Sequence, residues 1–401
     1  MLGARNYTVK PSIVYQRIRR GAFLLYVAAF WVGAMALLIG GARPSQAQEN
    51  AIPQICPARR TITARGGTFT PGGIILTTFD RSAIWVYNVD SNRRYPLPET
   101  TPCGRGCRLS PDARWVVYFN RLTQAYNRMR LDGTERSLVA QSASDVEWWG
   151  DNTFLVWTTA QGAFVQVDGA AQQILDVRGI SSIQPNGSWA LEVMHDGDGF
   201  TRQLVNLANP DDYTFLGVDM AYFNAQSWSP DGSRFAYVAP IDPTTPAGGA
   251  ELYVTTPDVR PTEPLTHLYD TYGAVRINGQ SVGELSWSPD STRIAFWVTP
   301  QIGDDPTATT GEATIHIVDT ATGETRAYCG FSTIEHTPNP PRLVWSPDGT
   351  TIAFGGNVEG DDKGYLLLAL NVESGEITEL SEGIYPALGA ADVITWGLPP
   401  R

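Results

Sequence analysis

A turn of sequence Ser-Pro-Asp-Gly, set directly after an aromatic or aliphatic residue and directly before a short apolar run, recurs along this chain. It stands as Trp228-Ser229-Pro230-Asp231-Gly232 and Trp345-Ser346-Pro347-Asp348-Gly349, and in worn form as Trp287-Ser288-Pro289-Asp290-Ser291 and Leu109-Ser110-Pro111-Asp112-Ala113. Pro presets the backbone angle at the second position of a type I turn, Asp bonds nearby amides from the third, and Gly accepts a positive angle. The runs after the turns, Arg234-Phe235-Ala236-Tyr237-Val238, Arg293-Ile294-Ala295-Phe296-Trp297 and Thr351-Ile352-Ala353-Phe354, carry the β-branched and aromatic residues that suit a strand. Each turn therefore closes a hairpin, and its recurrence means a repeat fold.

Three weaker copies fill the gaps: Phe69-Thr70-Pro71-Gly72-Gly73, Trp149-Gly150-Asp151-Asn152 and Gln184-Pro185-Asn186-Gly187. A second hairpin follows each turn, from Ile84 to Leu97, Tyr126 to Val139, Phe164 to Leu175, Gln203 to Leu216, Leu252 to Leu265, Thr314 to Tyr328 and Leu366 to Leu380. Paired hairpins predict seven four-stranded units, the pattern of an all-β, seven-bladed β-propeller over residues 69–401. The Trp or Leu before each turn is expected to pack between blades. One inner-strand candidate is left over, Asp392-Val393-Ile394-Thr395-Trp396, while the first blade's own inner strand is broken by Arg65-Gly66-Gly67. Pairing this C-terminal strand with the first blade closes the ring and removes two open sheet edges.

Charge divides the chain. Residues 1–47 hold six basic residues and no acidic one, leaving 23 basic against 41 acidic in the remainder, a net of −18. A body this acidic repels phosphate backbones and excludes nucleic acid as a partner. From Gly21 to Ala42 the chain is uncharged and apolar, directly after Arg17-Ile18-Arg19-Arg20. Such a run spans a bilayer as a helix, and the preceding positive charges send the downstream chain outward. Ser45-Gln46-Ala47 fits a signal-peptidase site, whereas the apolar run is longer than a usual signal core. Residues 1–47 are thus a signal peptide or a signal anchor with a hydrophobic helix at 21–42, residues 48–68 a linker, and the propeller lies outside the cytoplasm.

Four cysteines agree with an oxidising compartment. Cys103-Gly104-Arg105-Gly106-Cys107 has the glycines to double back into a local disulfide, which would leave Cys56 and Cys329 as a second pair; three connectivities are open. Zinc sites want further Cys or His at set spacings, and none stand near this pair. Gly279-Gln280-Ser281-Val282-Gly283 matches a nucleophile elbow in letters only, because an elbow needs a helix to follow and here Glu284-Leu285-Ser286-Trp287 reads as strand. His195-Asp196-Gly197-Asp198-Gly199, Asp304-Asp305 and Asp361-Asp362 lack the alternating oxygens and closing Glu of a calcium loop. His316 falls within a strand and is expected to be structural. No catalytic residue, metal or cofactor is expected.

Turn positions 71, 111, 150, 185 and 230 are closely spaced, and the steps to 289 and 347 are longer. The extra length sits in Pro240 to Ala250, His267 to Gly283, Thr299 to Glu312, Gly330 to Pro341 and Asn357 to Gly364, all on the face opposite the turns in blades five to seven. Long loops on a rigid scaffold carry binding. Tyr269, Asp270, Tyr272 and Arg276, with Phe331, Glu335 and His336 beside them, offer the aromatic and charged contacts of an interface anchor.

The repeat Trp-Ser-Pro-Asp-Gly-x-x-Ile-Ala-Phe, in its best copies Trp228 to Val238, Trp287 to Phe296 and Trp345 to Phe354, resembles the TolB-like and WD-repeat-like propeller family over residues 69–396. That resemblance implies a propeller that binds proteins or peptides in the cell envelope. Together with the lack of a catalytic motif and with the apolar N-terminal run, the expectation is a monomeric, non-catalytic propeller that touches membrane only through the N-terminal helix. Similar propellers also gate prolyl-oligopeptidase-like enzymes, which makes a component of an extracytoplasmic hydrolase or peptidase system the alternative.

Overall fold

The computed structural model describes residues 51–57, 63–64, 69–78, 83–101, 106–141, 143–148, 153–158, 162–167, 170–175, 179–185, 187–196, 199–220, 224–242, 248–279, 283–303, 310, 312–329, 340–356, 366–380 and 392–397. Their elements belong to the unit Ile52–Arg401. The expected helix at 21–42 lies outside the described residues, among which no helix is long and apolar enough to cross a membrane.

The strands form an all-β propeller. In chain order, the first sheet holds Ile74–Thr78, Trp85–Asn88 and Arg93–Pro96, the second Arg108–Leu109, Trp115–Asn120, Ala125–Arg130 and Ser137–Gln141. The third runs Asp145–Trp148, Thr153–Thr158, Gly162–Val167 and Ala170–Leu175, and the fourth Ile180–Ile183, Trp189–Asp196, Gly199–Asn206 and Asn209–Met220. The fifth has only Gln226–Trp228, Phe235–Pro240 and Ala250–Thr255. The sixth is built on Arg293–Pro300, Thr314–Asp319 and Thr325–Tyr328, and the seventh on Val344–Trp345, Thr351–Gly356, Leu366–Asn371 and Ile377–Glu379.

Seven complete four-stranded blades were expected; among the described residues only six sheets reach four strands or more, and the fifth stops at three. The stretch that was to supply its outer strand contains Pro257, Pro261 and Pro264. Proline has no N–H to give a ladder, and what survives of the pairing is Leu265 N–H donating to Leu252 O at 2.7 Å.

The C-terminal strand closes the ring as the hydrophobic pattern requires. Asp392–Gly397 lies antiparallel to Ile74–Thr78, with Ile75 opposite Trp396 and Thr78 opposite Asp392. Buried side chains gather between neighbouring sheets, as with Ile75, Tyr87, Leu367, Ala369 and Trp396 between first and seventh, or Trp297, Ile315, Trp345 and Phe354 between sixth and seventh. Three tryptophans at the strand ends also latch the blades, whereas the indole N–H of Trp228 is buried without a partner among the described residues. Trp148, Trp287 and Trp345 donate from Nε1 to the carbonyls of Arg108, Ser227 and Ser286, each in another sheet's innermost strand. In the third sheet the latch is Trp148 rather than the expected Trp149, which lies outside the described residues.

Each well-formed turn carries the same bonds. Ser229 donates to Asp231 at 2.6 Å and accepts from Arg234 N–H at 3.0 Å, and Ser346 repeats this with Asp348 and Thr351. Partial burial works against the Asp231 charge, but bonds from Ser229, Ser233 and Ser291 hold its pKa down at about 2. Arg234 and Arg293 then lie over the indoles of Trp287 and Trp345 in the following sheet, 5.5 and 4.7 Å from the ring centres. They donate to the turn carbonyls Ser291 O and Gly349 O.

The fourth turn position has positive φ, 72° at Gly232 and 69° at Gly349. A Cβ at Gly232 would stand 2.3 Å from Pro185 O in the fourth sheet's turn, whereas at Gly349 the nearest atom is the Arg293 guanidinium at 3.2 Å. Both Gly→Ala changes incur a left-handed backbone cost of about 1–2 kcal/mol. Gly232→Ala must also displace a backbone carbonyl, so urea unfolding is expected to show a loss of about 3 kcal/mol for Gly232→Ala and about half that for Gly349→Ala.

The stretch expected as a linker contributes two short edge strands. Gln54–Ile55 adds parallel to Thr325–Tyr328 on the sixth sheet, and Thr63–Ala64 adds parallel to Ile377–Glu379 on the seventh. Cys56 and Cys329 are disulfide-bonded, with Cα atoms 5.1 Å apart. Cys107 is disulfide-bonded as well; Cys103, the partner expected for it, lies outside the described residues.

Candidate functional site

Innermost strands and the segments leading into them enclose a central bore of about 930 Å³. Most copies place a small or uncharged residue just before the latch residue: Ser182 before Ile183, Ser227 before Trp228, Ser286 before Trp287, Thr395 before Trp396. Two copies place a charge there, Arg108 before Leu109 and Glu147 before Trp148. Period-two alternation puts Asp145 on the same side of its strand as Glu147, and both line the bore with Arg108, Glu284 and Arg342. A second cavity of about 330 Å³ shares Glu284, Arg342 and Thr395 with the bore and is walled by Trp287, Trp345 and Trp396.

Glu284 is held by an irregularity of the sixth sheet. Its innermost strand is split, Val275–Ile277 pairing with the far end of Arg293–Pro300 and Ser286–Trp287 with the near end. Asn278 fills the gap in the left-handed conformation that Asn tolerates, with φ 59°. It exchanges bonds with Trp297 through its own N–H and Oδ1, and its Nδ2 donates to Glu284 O at 2.8 Å. Gly279-Gln280-Ser281-Val282-Gly283 is this inserted segment; a strand follows it, and Ser281 itself lies outside the described residues.

Arg108 joins three sheets. Its guanidinium is 3.2 Å from Asp145 of the third sheet and 3.8 Å from Glu284 of the sixth, across the bore, and it also donates to Cys107 O. Burial opposes its charge, but Asp145, Glu284 and Glu147 more than offset this and raise its pKa. Tyr126 donates to Asp145 Oδ1 at 3.3 Å, and burial followed by the Asp145 charge raises the phenol. Glu147 is different. Burial pushes it up to about 7, Arg108 pulls it down, and Asp145 and Glu284 push it up again. Among the described residues, no hydrogen bond or ion pair reaches its carboxylate.

That shift has a sign. The Glu147 pKa is higher folded than unfolded, so the folded chain holds the extra proton between pH 4.5 and about 7 and loses stability as pH rises through that window. Glu147→Gln is expected to flatten this slope and to raise stability above pH 7 by about 1–2 kcal/mol, after allowance for solvent screening in the bore. Denaturation midpoints from pH 5 to 8 measure it.

The loop-face residues do not act as one group. Tyr269 and Asp270 are exposed on the short helix Leu268–Tyr272, whose start is fixed by buried Glu251 accepting from Tyr269 N–H at 2.9 Å. Tyr272 turns inward and pairs its hydroxyl with His316 Nε2 at 2.9 Å. His316 is fully buried, and burial pushes it down to about 4, so it stays neutral and structural. Arg276 is 2 % exposed and belongs to the interior rather than to a contact surface. Phe331, Glu335 and His336 lie outside the described residues. Exposed Ile241 and Ile302 come after the second strands of the fifth and sixth sheets and emerge on the Tyr269 side. Among the described residues no cluster of three metal-ligating side chains occurs.

A scan against protein-family models finds no match, and neither does a search of curated proteins. Solved structures do match. A Mycobacterium tuberculosis puromycin-hydrolyzing peptidase aligns with 84% of this chain at 13% identity and a TM-score of 0.51, and this chain spans 56% of that protein. TolB from Acinetobacter baumannii aligns with 80% of this chain and 81% of its own at 13% identity and a TM-score of 0.42. Kuenenia stuttgartiensis hydrazine synthase aligns with 79% and 97% at 12% identity and a TM-score of 0.42. The fold is a β-propeller. Identity this low speaks of architecture alone, and proteins of unlike activity share it.

The sequence reasoning missed the bore cluster. The signal available was positional: a charge standing directly before the latch residue, where most copies carry Ser or Thr.

Proposed function

We propose that this chain is an exported or membrane-anchored, non-catalytic propeller that binds a protein or peptide partner in the cell envelope and seats one extended segment of it in the central bore. The observation that carries this reading is the bore itself, about 930 Å³, lined by apolar Phe119, Val193 and Trp228 and by charged Arg108, Asp145, Glu147 and Glu284. A mostly apolar concavity with a few convergent polar groups is the usual form of a binding site. Exposed Ile241, Tyr269 and Ile302 supply a rim on the loop side for the rest of the partner.

Selection of random displayed peptides on the full chain tests it. Bound peptides are expected to compete with one another, to lose binding when Ser182→Trp narrows the bore, and to weaken about tenfold with Tyr269→Ala, typical of an anchor residue. Peptides that bind Ser182→Trp as well as the parent, or that are cleaved on incubation as judged by mass, would overturn the reading.

A further inference from the structure

Three carboxylates, Asp145, Glu147 and Glu284, line the bore together with the Arg108 guanidinium. Asp145 and Glu284 share Arg108, at 3.2 and 3.8 Å. Glu147 lines the same space on the same strand face as Asp145, with no hydrogen bond or ion pair among the described residues. Arg342, on the segment entering the seventh sheet, is the other cation of the wall, and Tyr126 the other titratable group facing Asp145. The group is therefore short of positive charge on the Glu147 side. It also already accommodates a guanidinium between carboxylates from two sheets that face each other across the bore.

Resting on the proposal of a peptide-binding bore, we propose that the bore wall carrying Asp145, Glu147 and Glu284 binds one organic cation, the guanidinium or ammonium of a basic side chain in the seated peptide. An anion fits poorly, because Arg108 is already shared by Cys107 O, Asp145 and Glu284. A metal ion fits poorly too, because the described residues hold no three ligating groups close enough together. The propeller's excess of acidic residues draws cations toward the opening and raises the rate at which they enter.

Isothermal titration calorimetry on the full chain at pH 7 tests this with four probes: an acetylated, amidated Gly-Arg-Gly peptide, its citrulline counterpart, agmatine and spermidine. The Arg peptide is expected to bind about tenfold or more tightly than the citrulline peptide, the usual discrimination for a charge-assisted pair in a desolvated site. Repeating the titration in buffers of different ionisation enthalpy should show release of about half a proton, as a cation forces Glu147 to ionise. Glu147→Gln should abolish that release and weaken binding about tenfold, while Glu324→Gln, on an exposed pair with Arg326, should leave both unchanged. Agmatine or spermidine matching the Arg peptide supports the seat and identifies a small amine as its occupant; the Arg peptide binding better supports a basic side chain. Equal binding of Arg and citrulline peptides, or no binding by any probe while library-selected peptides still lose binding with Ser182→Trp, overturns the cation seat and leaves the bore reading standing. Selected peptides indifferent to Ser182→Trp would sink the bore reading itself.

Discussion

Removing residues 392–401 is expected to leave a chain that cannot form a closed ring, and Trp396→Ala alone to destabilise it by about 3–5 kcal/mol. The C-terminal strand is the innermost strand of the first sheet, bonded along Ile74–Thr78. Without it, the first sheet opens onto the seventh and the edge of Ile74–Thr78 loses its ladder. Val393, Ile394 and Trp396 are all buried. At about 2 kcal/mol for each buried large apolar side chain, their loss costs roughly 6 kcal/mol before any hydrogen bond is counted, comparable to the whole stability of a typical domain. Trp396 also donates from Nε1 to Gly72 O at 2.9 Å, so the alanine variant leaves a cavity and a carbonyl without its donor. The approach is close enough to dictate the neighbouring residue: Gly73 has φ 113°, and a Cβ there would lie 2.2 Å from Gly397 O. Size-exclusion chromatography and urea unfolding followed by tryptophan fluorescence measure both variants. A truncated chain that elutes and unfolds like the parent would mean that the ring does not depend on its closing strand.

The parts of this architecture visible in the sequence are those where one residue type is forced by local geometry. Asp and Ser recur in the turns because each bonds the next residues' amides, and Trp recurs because its indole fills the space between sheets and, at Trp148, Trp287 and Trp345, also reaches another sheet's carbonyl. Closure by Asp392–Gly397 was visible as a strand pattern without a hairpin partner. Missing outer strands are harder to see, since a Pro-rich stretch such as Val259 to Pro264 can still alternate apolar and polar residues while offering too few N–H groups. Gln54–Ile55 and Thr63–Ala64 are two residues each, too short for any periodicity, and are placed by the edges they cover. The bore cluster was hidden for another reason. Arg108, Glu147 and Glu284 come from separate sheets, and charge in an inner strand reads as solvent exposure until the ring brings the strands together. Arg276 failed in the opposite direction, because a charge in a long loop segment looked exposed, whereas Val275–Ile277 is the buried half of a split strand.

Breaking the disulfide between Cys56 and Cys329 is expected to cost up to about 5 kcal/mol and to release the segment that covers the outer edge of the sixth sheet. The bond spans 273 residues, and in the chain-entropy model a loop of that size restricts the unfolded state by about 5 kcal/mol, with the cost growing only logarithmically in loop length. A short loop such as the one expected between Cys103 and Cys107 gives less than half of that. Little else holds the edge strand. Gln54 and Ile55 face Ala327 and Tyr328 in parallel, Ala327 N–H donates to Pro53 O at 2.9 Å, and Ile52 and Ile55 are only partly buried against the neighbouring cores. Once the covalent tie is lost, two residues of parallel ladder cannot offset the entropy of ordering the strand. Thr325–Tyr328 then becomes an open edge, which promotes pairing between copies. Cys56→Ser with Cys329→Ser, compared with Cys107→Ser in urea unfolding and in amide exchange, separates the two bonds. The long-range pair should cost at least twice as much and should deprotect Ala327 and Cys329, whose amides bond Pro53 O and Ile55 O. Equal costs, or an unchanged exchange rate at Ala327, would mean that the edge strand is held by its own packing and that the disulfide merely records its position.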